Sequence, residues 1–268
     1  MTISRQTLES LDQTAQAAAD AARSAILPHF RQAGLAADSK SDEGFDPVTE
    51  ADRAAERAMR EILTQSRPDD AILGEEFGRS AGTSGLTWVL DPIDGTRGFV
   101  SGTPTWGVLI AVSDASGPVY GLIDQPYIGE RFIGSALGAH ASGPLGVSEL
   151  STRHTQRLAD AVVFTTFPEV GSTEEGAAFR SVAKQARMTR YGMDCYAYAL
   201  LAAGQVDLVI EAGLQAYDIQ APLAVIEAAG GVVTDWHGGP AHEGGRALAA
   251  ANATIHAEAL AILKDSLG

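Results

Sequence analysis

Apolar residues recur at helical spacing near the start of the chain and in short runs after residue 70. The first pattern predicts one helix over residues 8–31 and a second from about residue 50 to residue 66. Thr49 to Asp52, which reads TEAD, resembles a capping signal for the second helix. The later runs predict strands in AILGEE (71–76), TWVLD (87–91), WGVLIAVSD (106–114), PVYGLID (118–124) and RFIGSA (131–136). The first half therefore reads as α+β.

After about residue 145, predicted strands and helices alternate along the chain. The predicted strands are AVVFTTFP, MTRY, VDLVIEA, GVVTDW and ALAAAN, and the predicted helices cover 173–186, 194–203, 218–229 and 255–266. This alternation is typical of an α/β layer. Because no flexible linker separates the two parts, we expect an α+β half (1–145) and an α/β half (146–268) packed as one compact body.

Composition and charge narrow the possible classes of function. The 268 residues carry a formal net charge of −15 and include one cysteine, Cys195. The negative charge argues against a general nucleic-acid binder, whose affinity comes largely from neutralising phosphates. A single cysteine excludes an intramolecular disulfide and a Cys-based zinc cluster, so we expect Cys195 to be a small buried side chain. No signal peptide or apolar run of ~18 residues is present, so a cytoplasmic location is expected.

Three acidic residues lie at or just beyond the ends of two predicted strands. Glu75 follows AILG, and Asp91 and Asp94 follow TWVL. Carboxylates that meet at strand ends repel one another unless a cation lies among them. Oxygen ligands without His or Cys favour Mg²⁺ or a similar ion over zinc. Pro92 fixes the backbone between the acids and can turn the Ile93 carbonyl toward the same ion.

The residues after Asp94 suit a phosphate group. Gly95 lets the backbone approach a ligand closely, and Thr96 and Arg97 begin a predicted short helix whose free N–H groups suit an anion. Cations beside such amides indicate phosphoryl chemistry. Each acid taken alone also fits a turn former or a solvated side chain, so the metal hypothesis depends on their occurrence together on consecutive strand ends.

Four motifs resemble the inositol monophosphatase-like family of metal-dependent, lithium-sensitive phosphatases. They are, in chain order, DPVTEAD (46–52), GEE (74–76), DPIDGT (91–96) and YDIQAPLAVIEAAGGVVTDW (217–236). The resemblance covers almost the whole chain. It implies an α/β fold, a layered αβαβα sandwich of the inositol monophosphatase and fructose-1,6-bisphosphatase type, which is commonly a homodimer.

The resemblance also implies a role for each matching residue. The implied ligands of two or three Mg²⁺ ions, for which Mn²⁺ can substitute, are Glu75, Asp91, the Ile93 carbonyl, Asp94 and Asp218. Asp46 with Thr96 resembles the pair that positions and deprotonates the attacking water, and Glu75 shares the catalytic role. The Gly95 and Thr96 N–H groups resemble the phosphate-binding amides. The implied reaction is in-line attack of a metal-activated water on phosphorus. Taken alone, Asp218 opens an apolar helix, and without the other motifs an N-cap is its natural interpretation.

The sequence after DPIDGT indicates a substrate class. The inositol group usually continues with Thr-Asn-Phe, whereas this chain has Arg97-Gly98-Phe99. The runs DPIDGTRGFVSGTPTWGVLIAV, YGMDCYAYALLAAGQVDLVIEAGLQAYD and LAAANATIHAEAL resemble the histidinol-phosphate phosphatases of the family. That resemblance implies a small-molecule phosphate monoester as the partner, and neither a nucleic acid nor a membrane.

Three residues outside the metal core are candidates for substrate binding. Histidinol phosphate carries an ammonium and an imidazole, which favour carboxylates such as Asp194 and Glu211 at the pocket rim. Asp194 also fits a helix N-cap, and Glu211 a solvated strand-end acid. Arg97 could pair with the phosphate, with Asp94 or across a dimer interface. The alternatives are an inositol-1-monophosphatase, a 3′-nucleotide phosphatase of the PAP type or, from another class, an inactive regulatory homologue.

Overall fold

The computed structural model describes residues 3–32, 38–39 and 47–267. Within them the chain forms seven α-helices: α1 (Arg5–Ile26), α2 (Glu50–Ser66), α3 (Thr96–Ser101), α4 (Thr173–Ala183), α5 (Tyr196–Ala202), α6 (Ala216–Ala228) and α7 (Ala253–Leu267). Two short 3-10 helices cover Leu27–His29 and Leu158–Asp160. The strands of the same described residues are β1 (Asp38–Ser39), β2 (Pro47–Val48), β3 (Ala71–Gly74), β4 (Gly78–Ser80), β5 (Thr87–Asp94), β6 (Gly107–Asp114), β7 (Gly117–Gln125), β8 (Glu130–Ser135), β9 (Gly138–Gly143), β10 (Gly146–Glu149), β11 (Val162–Thr165), β12 (Met188–Tyr191), β13 (Leu208–Leu214), β14 (Val232–Thr234) and β15 (Gly245–Ala250).

Two large sheets form the frame of the molecule. The first has eight strands in the order β10-β9-β8-β7-β6-β5-β3-β4, and only its β3–β5 pair is parallel. The second has five strands in the order β12-β11-β13-β15-β14. In it β11 runs parallel to both neighbours, and β15 runs antiparallel to β13 and β14. Strands β1 and β2 pair separately.

Helices α1 and α2 cover one face of the first sheet. The buried side chains of α1 recur at helical spacing and meet inward-facing sheet residues such as Trp88, Leu90 and Ile110. Alternate strand residues face the other way, because successive side chains of a strand point to opposite faces. The predicted capping signal of α2 is confirmed, since Thr49 and Asp52 form a reciprocal capping box.

Helices α5 and α6 fill the layer between the two sheets. Helix α6 lies directly against the first sheet because two glycines leave room for its backbone. A Cβ at Gly121 would overlap the Ala221 carbonyl oxygen, and a Cβ at Gly134 would lie 2.5 Å from Val225 Cα. This close contact fixes where α6 begins relative to the strand ends, and α6 begins beside the site described below.

Helices α4 and α7 cover the outer face of the second sheet. Val163, Leu208 and Ile210 face these two helices, whereas Phe164 and Val209 face the layer of α5 and α6. The layers are therefore helix, sheet, helix, sheet and helix, which confirms the predicted αβαβα sandwich. The division into halves at residue 145 stays a prediction. No helix in the described part of the chain is long and apolar enough to cross a membrane.

The boundaries of some predicted elements were wrong. The first helix ends at Ile26 and not at residue 31, because Pro28 follows within a 3-10 turn. The two-residue strands β1 and β2 were missed, and so were three longer strands, β4, β9 and β10. Their sequences, GRS, GAHASG and GVSE, lack the alternation of apolar residues that predicts a strand.

Candidate active site

A cavity of about 370 Å³ lies where α6 begins, beside the carboxyl ends of β3, β5 and β13. It brings together the sequence-predicted site residues that the structure describes: Glu75, Asp91, Ile93, Asp94, Gly95, Thr96, Arg97, Asp194, Glu211 and Asp218. Asp46, the predicted partner of Thr96, lies outside the described residues. Both sheets and the middle helical layer therefore contribute to one site.

Glu75 and Asp91 emerge side by side from the parallel strands β3 and β5. The Glu75 N–H donates to the Leu90 carbonyl at 3.2 Å. Asp91 is 2% exposed, and its Oδ1 accepts the Ile93 N–H at 3.0 Å. Burial raises the pKa of Asp91 well above its ordinary value, and the negative charges of Glu75 and Asp94 raise it further. Ionised Asp91 is therefore unfavourable unless a cation lies nearby.

Asp94 is held by the backbone of a segment far away in sequence. Its Oδ2 accepts the Cys195 N–H at 2.6 Å. Burial and the negative charge of Asp218 nevertheless raise the pKa of Asp94 well above its ordinary value. Cys195 itself is buried, as predicted, and burial raises the pKa of its thiol. A thiol of this kind is unreactive, so the site offers no cysteine nucleophile.

Asp218 stabilises the start of α6 and belongs to the acidic cluster at the same time. Its Oδ2 accepts the Gln215 N–H at 2.7 Å in a capping box, so Asp218 occupies the third helical position and not the N-cap. Among the described residues, one carboxylate oxygen each from Asp91, Asp94 and Asp218 lie within 4.8 Å of one another. Both roles are compatible, because an ionised carboxylate has several acceptor positions.

The acidic cluster fits a hard divalent cation. Its side-chain donors are all carboxylate oxygens, which Mg²⁺ prefers together with water and substrate phosphate. Tyr198 lines the same cavity, and its buried hydroxyl has no hydrogen-bond partner within the described chain. Such an orphaned group is expected where a bound ligand or its water completes the site. The residues that would hold the cation are Glu75, Asp91, Ile93 through its carbonyl, Asp94 and Asp218.

The Gly95–Thr96 segment combines a left-handed turn with the start of α3. Gly95 has φ 84°, and a Cβ there would lie 2.6 Å from the carboxyl carbon of Asp194. Both features require glycine at this position. The Thr96 hydroxyl donates to the Ile93 carbonyl at 3.1 Å, which leaves that oxygen a second lone pair. The role of the Gly95 and Thr96 amides toward phosphate stays a prediction.

Glu211 and Asp194 enter the cavity as buried or half-buried acids. Glu211 is 6% exposed and accepts the Thr166 N–H at 2.7 Å and the Thr165 hydroxyl at 3.2 Å. Burial still raises the pKa of Glu211 to about 7. Asp194 accepts the Thr105 hydroxyl at 2.7 Å, and burial raises its pKa too. Because Glu211 is buried, the alternative of a solvated Glu211 is wrong. The alternative of an N-capping Asp194 is also wrong, because α5 has no side-chain cap.

Arg97 lies at the mouth of the cavity. Its guanidinium carbon is 4.8 Å from the centre of the Phe167 ring, a cation–π distance. Phe167 is 43% exposed and lines the same cavity. The structure thus gives Arg97 an aromatic neighbour that the sequence did not indicate, because Phe167 follows a different strand in the other sheet.

Asp52 is a further acid that the sequence analysis assigned only to helix capping. It is 1% exposed, and its Oδ2 accepts the Thr49 N–H at 2.8 Å and the Thr49 hydroxyl at 2.6 Å. Burial raises the pKa of Asp52, and the negative charge of Glu76 adds to the shift. Strand β2, just before it, packs against α3. Its burial and raised pKa make Asp52 a second candidate base beside Asp46, although Asp52 is not among the residues that line the cavity.

The comparisons with known proteins agree with this geometry. The sequence model of the inositol monophosphatase family matches residues 7–267, so the chain belongs to the inositol monophosphatase family. Members of this family are metal-dependent phosphatases, which makes the chain a phosphoric monoester hydrolase by family.

Individual relatives differ in the substrate that their names record. A histidinol-phosphatase of Streptomyces coelicolor is 38% identical, and the match covers 92% of this chain and 94% of that protein. The bifunctional phosphatase IMPL2, chloroplastic, of Arabidopsis thaliana is 45% identical over 83% of this chain, and the match spans 63% of the plant protein. A solved inositol monophosphatase of Zymomonas mobilis has a TM-score of 0.85 at 38% identity, covering 98% of this chain and 100% of that one.

The variant Asp94→Asn tests the repulsion within the acidic cluster. Without divalent cations, we expect it to raise the free energy of unfolding by about 1–2 kcal/mol, because it removes a buried charge but keeps an oxygen for the Cys195 N–H. Mg²⁺ should raise the Tm of the wild type but not of the variant. Thermal unfolding with and without Mg²⁺ measures both effects. Asp114→Asn, at the far end of β6, is the control. Without cations it should be no more stable than the wild type, and Mg²⁺ should raise its Tm as it raises that of the wild type. A destabilised Asp94→Asn protein would contradict the assignment.

The raised pKa of Glu211 predicts a pH dependence of stability. A carboxyl whose pKa is about 7 when folded and 4.5 when unfolded lowers stability progressively as the pH rises through this window. As the pH rises from 5 to 8, the free energy of unfolding of the metal-free Glu211→Gln variant should therefore increase by about 2 kcal/mol relative to that of the wild type. Urea denaturation at several pH values measures this difference.

Glu175→Gln is the matched control for that measurement. The Ser172 N–H and Arg246 lower the pKa of Glu175, so this carboxyl titrates below the window. Its difference from wild type should stay nearly constant from pH 5 to pH 8. A constant difference for Glu211→Gln as well would show that Glu211 does not titrate near neutrality.

Proposed function

We propose that the chain hydrolyses L-histidinol phosphate to L-histidinol and phosphate, a step of histidine biosynthesis, with Mg²⁺ as its metal cofactor. The observation that supports this substrate is the placement of two shielded carboxylates, Asp194 and Glu211, beside the acidic cluster. Neither has an Arg, Lys or His among its hydrogen-bond partners in the described chain.

The substrate supplies the positive charge that these carboxylates lack. Histidinol phosphate has an ammonium, and an imidazole that can bind a proton. In this proposal the phosphate binds at Gly95 and Thr96, and the rest of the substrate contacts Thr166, Glu211 and Asp194, which line the same cavity. Pairing a buried carboxylate with a substrate cation offsets the free energy that burial adds to the ionised acid. Phe167 and Arg97 provide a flat wall at the mouth, which suits an aromatic ring.

The proposed roles of the chain's own residues are supported by the positions of the described residues and, for Asp46, by the family resemblance alone. Glu75, Asp91, the Ile93 carbonyl, Asp94 and Asp218 would hold the divalent cations. Bound cations of this kind lower the pKa of a water molecule and neutralise charge on a transferring phosphoryl group. The amides of Gly95 and Thr96 orient the phosphate, and Asp46 or Asp52, with the Thr96 hydroxyl, orients the attacking water and accepts its proton.

An inositol phosphate is the second candidate substrate, because the chain also resembles an inositol monophosphatase over its whole length. Hydroxyl groups could donate to Asp194 and Glu211, but they would leave both negative charges uncompensated. A site built for a charged partner discriminates strongly against analogues that lack it.

Turnover of histidinol phosphate and of inositol 1-phosphate tests the substrate directly. With Mg²⁺ present, we expect kcat/KM for histidinol phosphate to exceed that for inositol 1-phosphate by at least about 100-fold. Glu211→Gln should lower kcat/KM for the amine-bearing ester at least about tenfold, chiefly through KM, and change it little for the inositol ester. A preference for the inositol ester, or equal effects on both, would refute the assignment. No hydrolysis of either ester would favour the inactive homologue.

The variants Asp46→Asn and Asp52→Asn identify the base. Loss of the base should reduce kcat at saturating substrate by at least about 100-fold and leave KM nearly unchanged, since general-base catalysis contributes roughly 10²–10⁴-fold. Loss of helix capping alone should lower the Tm and leave kcat within a few-fold of wild type. Measuring kcat and Tm for both variants therefore separates the two roles. If both variants keep wild-type kcat, neither acid is the base.

A further inference from the structure

The turn that carries Glu75 is held from behind by α2. Glu56, on the inner side of that helix, is 0% exposed. Its Oε2 accepts the Glu76 N–H at 2.6 Å, and its Oε1 accepts the Phe77 N–H at 3.2 Å. The two amides that follow Glu75 in the chain are therefore bound to one buried carboxylate.

Arg60, one helical turn after Glu56, holds the other side of the same turn. Its Nε donates to Glu56 Oε1 at 2.7 Å. Its remaining nitrogens donate to the Gly78 carbonyl and, at 2.9 Å, to the Ser80 hydroxyl. We call Glu56 and Arg60 together the α2 clamp. The clamp neutralises the charge of Glu56 and ties residues 76–80 to a rigid helix.

Gly74 completes this arrangement. A Cβ at residue 74 would overlap the Glu56 carboxylate, so the end of β3 lies directly on that group. The Glu75 N–H donates to the Leu90 carbonyl on the neighbouring strand at 3.2 Å. The backbone at residue 75 is thus fixed by β5 on one side and by the α2 clamp on the other. Little freedom remains except in the Glu75 side chain, which reaches into the cavity.

We propose that Glu56 is the positioning residue for Glu75, and that the α2 clamp sets the affinity of the site for its divalent cation. This inference rests on the proposed function, because it takes Glu75 as a cation ligand. Groups that orient a ligand influence metal affinity nearly as much as the ligand does, because a displaced ligand must be reordered on binding. Glu56 touches neither the acidic cluster nor the cavity, so it acts only through the turn.

Binding of Mg²⁺ to the substrate-free protein tests this proposal. Titration calorimetry should give a Kd for Glu56→Gln at least about tenfold above that of the wild type, because the neutral side chain forms no ion pair with Arg60 and has one acceptor oxygen in place of two, so it holds the turn less firmly. At saturating Mg²⁺, the KM for histidinol phosphate should stay within about threefold of wild type, because the substrate-binding residues are untouched. The Mg²⁺ concentration for half-maximal turnover should rise in parallel with the Kd.

Asp70→Asn is the matched control for loss of a buried, arginine-paired carboxylate. Asp70 is 7% exposed and accepts from Arg67 at 2.7 Å and from the Trp88 ring N–H at 2.9 Å, but it precedes β3 and lies at the end away from Glu75. Its Mg²⁺ Kd should stay within about twofold of wild type even if its Tm falls. An equal rise in Kd for Asp70→Asn would show general destabilisation and overturn the proposal.

Two further variants keep the test decisive. Arg60→Gln keeps both backbone N–H hydrogen bonds to Glu56 and changes a partly exposed side chain, so it replaces Glu56→Gln in the test if that variant does not fold. Its Kd for Mg²⁺ should rise about threefold. If Glu56→Gln and Arg60→Gln, or the one of them that folds, bind Mg²⁺ with the wild-type Kd, the clamp proposal is overturned. Glu75→Gln is the reference for loss of the ligand itself. If Glu75→Gln binds Mg²⁺ like the wild type, Glu75 is not a cation ligand and the clamp proposal fails with that assignment. If Glu75→Gln binds Mg²⁺ weakly while Glu56→Gln binds it like the wild type, only the clamp proposal fails.

Discussion

Repulsion among buried carboxylates is the constraint on which the rest of the site depends. Asp91 and Asp94 leave one strand, Asp218 opens a helix of another layer, and their oxygens meet within 4.8 Å. Burial and mutual repulsion raise the pKa values of Asp91 and Asp94, so the metal-free arrangement is held in place by surrounding structure. That structure consists of the close contact of α6 with the first sheet and the hydrogen bonds that backbone N–H groups donate to Asp94 and Asp218. A bound cation would relieve the repulsion, and the fold keeps these carboxylates together without one.

How far the sequence predicts this site depends on how its parts are distributed along the chain. Asp91 to Thr96 lie in one short segment at a strand end, so strand periodicity and residue chemistry alone indicate a metal and phosphate site. The layer order followed from the family resemblance. Asp218 also came only from that resemblance, because a capping acid and a ligand acid look the same in sequence. In the structure Asp218 takes part in the capping box of α6 and also lies in the acidic cluster.

The hydrogen bonds that hold the acidic side chains of the site join residues far apart in the chain, and sequence patterns do not predict them. Thr105 bonds Asp194 across 89 positions, and the Cys195 N–H bonds Asp94 across 101. Such contacts carry no periodic signal, because they depend on how the two sheets face each other. Glu56 offered one local hint, since it is charged but lies beside Ala55 and Met59 on the apolar face of a predicted helix. A charge at such a position is usually paired and hydrogen-bonded inside the protein.

Residues 194 and 195 connect the proposed substrate-binding side of the cavity with the acidic cluster. The Asp194 side chain lies against Gly95 and faces the proposed substrate, while the next amide holds Asp94. Asp194 also has φ 47°, a conformation that few residues other than Gly, Asn and Asp adopt easily. A mutation at residue 194 is therefore expected to disturb the backbone that holds Asp94, so under the proposed function a change of substrate selectivity there would also change cation binding. Evolution toward new esters in this scaffold is consequently expected to begin at positions such as Phe167, whose ring borders the cavity without holding that backbone.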